Sequence, residues 1–327
     1  MKKITIIGGG AWGATLGQVL VDNYHQVLIY DINVDYIQKI NNRRHPIFSQ
    51  IHLDNIVATS NLEQAINYSN ILILALPTQK IRFFLKKITP LLTQSKNFIN
   101  VSKGIEQQTQ QLISQILYSE IDSTKIKNYA CLMGPSHAEE VICRKITFLL
   151  ASSLNSLFAR EVANLFSNGQ YIKVFCSDDV VGCEVSAAFK NSLAFISGLL
   201  VGNESFGKNA QAALLTLGLK EQKIILDFFH AKPETFYSLA SLGDLIVTSF
   251  NPCSRNFQAG LKFSSGQDLV EIYNNSLQTI EGIYNLQVFY NLACQNNLFL
   301  PLIHYTYQVI FEKKPINYIL KNILSIL

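Results

Sequence analysis

The stretch ITIIGGGAWGATLGQVLV, Ile4 to Val21, decides the architecture. Its first four residues are all β-branched, as suits a buried strand, and Ala11 to Leu20 can form a helix. Between them Gly8, Gly10 and Gly13 spell G-x-G-x-x-G. Each glycine has its own physical task in such a turn. Gly8 permits the tight bend, the bare Gly10 lets a pyrophosphate approach the backbone, and Gly13 lets helix and strand pack closely. The helix N-terminus then offers its N–H groups to the phosphates.

A second sign accompanies the glycines. Asp31 ends the next β-rich run, 23 residues after Gly8, where an acid accepts hydrogen bonds from an adenosine ribose. It also repels a 2′-phosphate, so it favours NAD(H), with NADP(H) possible if Arg43 and Arg44 fold back to offset the repulsion. Ala11 and Trp12 head the helix and join the expected cofactor-contacting residues. Trp12, the single tryptophan, either touches the cofactor or packs under the sheet; the residues leave both open.

Outward from this stretch, short β-rich runs continue at 26–31, 55–60, 71–77, 97–102, 129–134, 146–153 and 171–177, mostly separated by segments of helical periodicity. That alternation predicts an α/β unit with a mostly parallel, doubly wound sheet. After Ser177 the pattern changes to long stretches with Ala, Leu and Ile at helical spacing. The expected division is a dinucleotide-binding Rossmann-type domain over 1–178 and an all-helical domain, carrying substrate binding and catalysis, over 179–327.

Composition narrows the function. The 327 residues are 48% hydrophobic and 15% charged, with a net charge of +4. No clustered basic face marks a nucleic-acid binder, and the small excess suits a small anion. Six cysteines lie far apart, with no C-x-x-C pair and no histidine at zinc-ligand spacing, so no metal site is expected and free thiols in a reducing cytoplasm are. The basic start MKK and the apolar run after it mimic a signal peptide, but the glycines and the lack of an A-x-A site fit a strand, turn and helix better. The other apolar runs look shorter than the ~18 residues that span a bilayer, so no membrane insertion is expected.

The second half carries the candidate chemistry. Lys190 and Asn191 lie inside the apolar, helix-forming stretch GCEVSAAFKNSLAFISGLLVG. A buried lysine is costly without a partner or a task; the alternative is a lysine that snorkels to the surface.

Six motifs then take on a shared meaning: GGGAWG, VSKGIE (101–106), MGPSHAEE (133–140), EVSAAFKN (184–191), SLGDLIVTSFNPCSRN (241–256) and IEGIYN (280–285). In order and approximate spacing they resemble those of bacterial NAD(P)-dependent glycerol-3-phosphate dehydrogenases, over nearly the whole chain. The resemblance implies that Lys190 accepts a proton when glycerol 3-phosphate is oxidised and donates one when dihydroxyacetone phosphate is reduced. It implies that Lys103 meets both substrate and cofactor, that Gly134 and Ser136 contact substrate, and that Ala138 and Glu281 contact cofactor. It places Asp244, Ser254, Arg255 and Asn256 in the substrate pocket, with Arg255 also reaching the cofactor.

The residue types suit those roles. A lysine acts as a base only if burial or a second cation disfavours its charged form, and Lys103 could be that cation. The fork of Arg255 matches phosphate oxygens, with Asn256 completing the shell. Asp244 cannot bind phosphate, so it is assigned to a lysine or a substrate hydroxyl, with Thr248 orienting it and Asn191 beside Lys190. The resemblance further implies a homodimer that supplies glycerol 3-phosphate for phospholipids.

The chain departs from the family at Thr216 and Leu217, where an arginine is common, and at Ser241, usually glycine. His137 stands where phenylalanine is common and is read as packing. Two other readings compete. Hydroxy-acid and ketopantoate dehydrogenases space lysine and asparagine as K-x-x-x-N, whereas Lys190 and Asn191 are adjacent. A dinucleotide-binding sensor without chemistry would be expected to lose at least one of Lys103, Lys190, Asp244, Arg255 and Asn256.

Overall fold

A computed structural model describes residues 1–203, 206–249, 251–276 and 279–326. Phe250, inside the motif at 241–256, lies outside the described residues. The chain forms two compact units, one of Met1–Ser102 with Ile113–Val180 and one of Lys103–Leu112 with Val181–Leu327. The ten residues 103–112 thus belong to the helical unit, although the sequence division put everything up to 178 in the first domain.

The first unit runs β1 (Lys3–Ile7), α1 (Ala11–Asp22), β2 (Gln26–Tyr30), α2 (Val34–Asn41), β3 (Ile56–Thr59), α3 (Leu62–Tyr68), β4 (Ile71–Leu74), α4 (Thr78–Ile88) and β5 (Lys96–Asn100). It continues with α5 (Ile113–Glu120), β6 (Ile126–Met133), α6 (Ala138–Val141), β7 (Thr147–Ser152), α7 (Ser156–Phe166) and β8 (Ile172–Ser177). The eight strands form one sheet in the order β3-β2-β1-β4-β5-β6-β7-β8. Every pairing is parallel except β6 with β7.

The reason lies in burial. All four residues of β4, and all but the first of β1 and β2, are buried, as in a sheet covered on both faces. Because β2 and β4 flank β1, the winding reverses between β1 and β4. Ligands of doubly wound sheets bind at the carboxyl ends of the strands where this reversal occurs.

The second unit contains α8 (Val180–Val201), α9 (Lys208–Phe228), α10 (Asp244–Ser249), α11 (Arg255–Ser264), α12 (Leu269–Asn274), α13 (Glu281–Asn296), α14 (Pro301–Phe311) and α15 (Asn317–Ile326). Phe189, Phe195 and Phe289 are fully buried in its core, and Ile105 and Leu112 of the inserted segment join them there. Helices α8 and α11 approach closely: a Cβ on Gly198 would lie 1.9 Å from the carbonyl oxygen of Phe257, and one on Gly260 would lie 2.1 Å from that of Phe195. The buried carboxylate of Glu221 on α9 accepts from the backbone N–H groups of Leu302 and Ile303, capping the start of α14.

The single apolar runs of this stretch are shorter than a bilayer span, but α8 is one helix of 22 residues with an 18-residue window of mean hydropathy 1.2, enough by length and composition to cross a membrane. Its most apolar window is 94% buried inside the protein, and Glu184, Lys190 and Asn191 interrupt it. It is a core helix. Leu217, where an arginine was expected, packs against the same core, while Thr216 is exposed and bonds back to the Ala212 carbonyl. Ser241 is buried and accepts a hydrogen bond from Gln222 at 3.0 Å, so the hydroxyl at this turn has a partner on α9.

Candidate active site

In the first unit the three glycines differ in their surroundings. Gly8 has φ 107°, and a Cβ there would lie 2.4 Å from the carbonyl oxygen of Ala75, just after β4. The turn therefore presses against the strand end at the point of reversal, and only glycine fits. A Cβ on Gly13 would lie 1.9 Å from the Gly8 oxygen, which is the close approach of helix to turn. Gly10 is the opposite case: nothing lies within 4 Å of its added Cβ, and it caps α1 without any side-chain bond. Open space over an uncapped helix start fits the pyrophosphate of a dinucleotide.

Asp31 is tied to this turn. Its carboxylate accepts from the Gly9 N–H at 2.6 Å and from the Asn33 N–H at 2.8 Å, so it staples the end of β2 to the glycines. Trp12 packs against the core of the sheet unit, with its indole N–H buried and unpaired among the described residues. Arg43 and Arg44 are exposed, Arg43 in a left-handed backbone conformation and Arg44 bridged to His52.

The next residue, His45, belongs to none of the sequence motifs and is fully buried. Its Nδ1 accepts from the N–H groups of Ile47 and Phe48. The proton must then sit on Nε2, which donates to the Ala11 carbonyl at 3.2 Å. Burial pushes its pKa down to about 4, so a neutral ring ties this loop to the first turn of α1.

Gly134 and Ser136 follow β6, also in the first unit. Gly134 has φ 132°, and its carbonyl accepts from the Ser136 hydroxyl at 3.0 Å. Ala138 opens the short α6, with His137 as its N-cap residue.

The second unit gathers the remaining candidates. Asp244 begins α10 directly after a π-helical turn, Leu239–Gly243, a local widening frequent at functional sites that the sequence did not announce. Its carboxylate, 1% exposed, takes one lysine on each oxygen: Lys190 on Oδ1 and Lys103 on Oδ2, both at 2.7 Å. Lys190 also donates to the Thr248 hydroxyl at 2.7 Å, and that hydroxyl donates to the Asp244 carbonyl at 2.6 Å. Lys190 is thus a buried, partnered lysine, and the snorkelling alternative falls.

A relay of amides supports this centre. The Gly282 N–H at the start of α13 donates to Asn256 Oδ1 at 2.9 Å. Asn256 Nδ2 donates to Asn191 Oδ1 at 3.0 Å, and Asn191 Nδ2 donates to the Lys103 carbonyl at 3.0 Å. Ser254 caps α11 through the Phe257 N–H, Arg255 stands exposed at its first position, and Glu281 opens α13.

The electrostatics follow from burial. Loss of solvent pulls the Lys190 pKa down; Asp244 opposes this, Lys103 and Arg255 reinforce it, and the result is about 7. Burial alone would raise Asp244, but Lys103 and Lys190 together hold it below the usual carboxylate range. An amine poised near neutrality beside a fixed anion can give or take a proton at physiological pH. Two lysines and an arginine against one carboxylate also favour an anionic substrate.

A glycine turn built for a dinucleotide, and a helical unit holding a lysine that can exchange protons, define an NAD(P)-dependent oxidoreductase of the Rossmann type. Comparison with known proteins narrows the class. Residues 3–159 match the family described as NAD-dependent glycerol-3-phosphate dehydrogenase N-terminus, and residues 179–321 match its C-terminus. A glycerol-3-phosphate dehydrogenase (NAD(P)+) of Phytoplasma mali is 50% identical over 323 residues, covering 99% of this chain and 97% of the relative. The crystal structure of glycerol-3-phosphate dehydrogenase from Coxiella burnetii superposes with a TM-score of 0.92 at 26% identity, covering 99% of both chains. A ketopantoate reductase from Ralstonia eutropha has a TM-score of 0.62 at 14% identity, covering 95% of this chain and 99% of that one, a likeness of fold alone. The chain belongs to the NAD(P)-dependent glycerol-3-phosphate dehydrogenase family.

Proposed function

We propose that Lys190 is the proton-transferring group of this dehydrogenase, working between Asp244 and Thr248 while dihydroxyacetone phosphate and glycerol 3-phosphate interconvert. The observation that carries the reading is the buried Asp244 carboxylate shared by Lys190 and Lys103 at 2.7 Å each. A neutral Lys190 amine spends its two N–H groups on Asp244 and Thr248, which leaves its lone pair for the C2 hydroxyl proton of glycerol 3-phosphate. In the reverse direction the ammonium returns that proton to the developing alkoxide, and Lys103 adds positive charge beside it.

Arg255 and the start of α11, with Ser254 and Asn256, suit the substrate phosphate. Asn191 holds the Lys103 backbone beside the substrate, and Gly134 and Ser136 contribute further contacts. The bound nicotinamide accepts or supplies the hydride. Gly8, Gly10, Ala11, Trp12 and Gly13 hold the dinucleotide, with Lys103, Ala138, Arg255 and Glu281 as further contacts. Asp31 favours NAD(H), and NADP(H) remains a substrate through the exposed Arg43 and Arg44. Resemblance to the family supports a cytoplasmic homodimer that works mainly in the direction of reduction and supplies glycerol 3-phosphate for phospholipids.

Replacing Lys190 by Ala tests the reading. Turnover is expected to fall by about 100- to 10,000-fold, while NADH binding followed by fluorescence stays within a factor of two or so of the parent. Turnover close to the parent's would remove Lys190 from the chemistry. In the parent, kcat/KM for oxidation should rise with pH through about 7, where Lys190 loses its proton.

A further inference from the structure

We propose that Asn285, on α13, is a positioning residue that clamps the Lys103 segment to the helix carrying Lys190 and thereby fixes the distance between the two amines. The proposal rests on the reading of Lys190 as the proton-transferring group. Asn285 is fully buried. Its Oδ1 accepts from the Ile105 N–H at 3.1 Å, and its Nδ2 donates to the Ala188 carbonyl at 3.1 Å. One planar amide therefore joins a backbone group two residues after Lys103 to a backbone group two residues before Lys190. The partners fix the amide's orientation, because an N–H needs an acceptor and a carbonyl needs a donor.

The segment has other ties to the same unit. Asn191 holds the Lys103 carbonyl, and Gln107 donates to Gln287 at 2.6 Å. Asn285 alone among them joins the segment to the α8 backbone itself. Without it, the buried Ile105 N–H loses the Asn285 oxygen as acceptor, and weakening the pairing of a buried donor is costly. The segment relieves that cost by shifting outward to reach solvent, and Lys103 moves with it.

The consequence reaches Lys190 through charge. The charged groups that face Lys190 are Asp244 from α10, Lys103 from the inserted segment and Arg255 from α11. When Lys103 withdraws, one repelling cation is lost and Asp244 acts on Lys190 undivided. Both changes favour the ammonium form, so the amine requires a higher pH to serve as a base.

The test uses the whole chain with Asn285→Leu, which has the same branched outline and lacks both hydrogen bonds, and Asn285→Thr, which offers a single hydroxyl in place of the amide. Glycerol 3-phosphate oxidation is followed from about pH 5.5 to 9.5, and thermal unfolding is measured in parallel. For Asn285→Leu, kcat should fall by about 10- to 100-fold, as displacement of a reacting group by an ångström does. The acid limb of the profile should move up by about one pH unit, the size of shift expected when a neighbouring charge moves away. Asn285→Thr should show a smaller shift in the same direction, and it decides the matter by the same readout if the leucine variant does not fold. An acid limb unmoved in the folded variants, with activity lost only as Tm falls, would overturn the proposal. Lys190→Ala, assayed alongside, separates the two claims: turnover retained there removes the proton-transfer reading, whereas turnover lost there with an unmoved limb in the Asn285 variants removes only the positioning role.

Discussion

At Gly13 a single added carbon would lie 1.9 Å from a backbone oxygen, whereas at Asp244 two amines already lie 2.7 Å from one carboxylate. The sheet unit prepares its site by leaving atoms out, so that backbone can approach backbone and a phosphate can approach both. The helical unit prepares its site by burying charges that only their neighbours make tolerable. Damage should therefore read differently in the two. A change in the first should weaken cofactor binding and folding together, while a change in the second should spare the cofactor and remove turnover.

Gly13→Ala is the strongest way to break that contrast. Its Cβ meets backbone that cannot step aside, which should cost about 3 kcal/mol or more and weaken NADH binding by about 100-fold, as seen in a fluorescence titration and a urea melt. If Gly13→Ala binds NADH as the parent does, the turn is not built around that contact.

His45 offers a smaller, pH-dependent effect. Its pKa is about 4 in the folded chain against an ordinary 6.5. The folded state thus binds fewer protons than the unfolded one between these values. The stability gained by the neutral ring is complete above about pH 6.5 and is lost as pH falls through 4, a total of about 3 kcal/mol. His45→Gln should flatten the fall in unfolding free energy over that window; an unchanged slope would assign the loss to other groups.

The smallest effect concerns Asp31, whose oxygens already accept from Gly9 and Asn33. If its charge also repels a 2′-phosphate, Asp31→Ser should raise the ratio of kcat/KM for NADPH to that for NADH by roughly tenfold, on the order of one close charge pair near a surface. A constant ratio, with both cofactors weakened alike, would leave Asp31 as a staple for the turn.

The sheet unit was largely legible because its signals are local. Each strand is a short β-rich run next to its own helix, and the glycines announce themselves within six residues of sequence, although the close contact that Gly8 answers comes from Ala75. Among its strands, the reversed direction of β7 against β6 lay beyond that reading. In the helical unit the residue types were legible and their relations were not. Lys190 could be seen to need a partner; that Asp244 divides itself between Lys190 and Lys103 depends on contacts across 54 and 141 residues. Segment 103–112 follows a strand and reads as part of the sheet unit, yet the burial of Ile105 and Leu112 and the grip of Asn191 and Asn285 draw it into the helices. His45 escaped notice because a histidine before a proline looks like a surface loop, and only its three backbone partners reveal a neutral structural ring.

The inserted segment also sets a timetable for biosynthesis. Ile105 leaves the ribosome well before Asn285, the residue 180 positions later that receives its N–H. At the usual pace of translation that interval is roughly 10–35 s, and until it ends the core that Ile105 and Leu112 enter is incomplete. The nascent sheet unit therefore holds a ten-residue segment, polar but for Ile105 and Leu112, whose native hydrogen bond is completed only when the helix carrying Asn285 has been made.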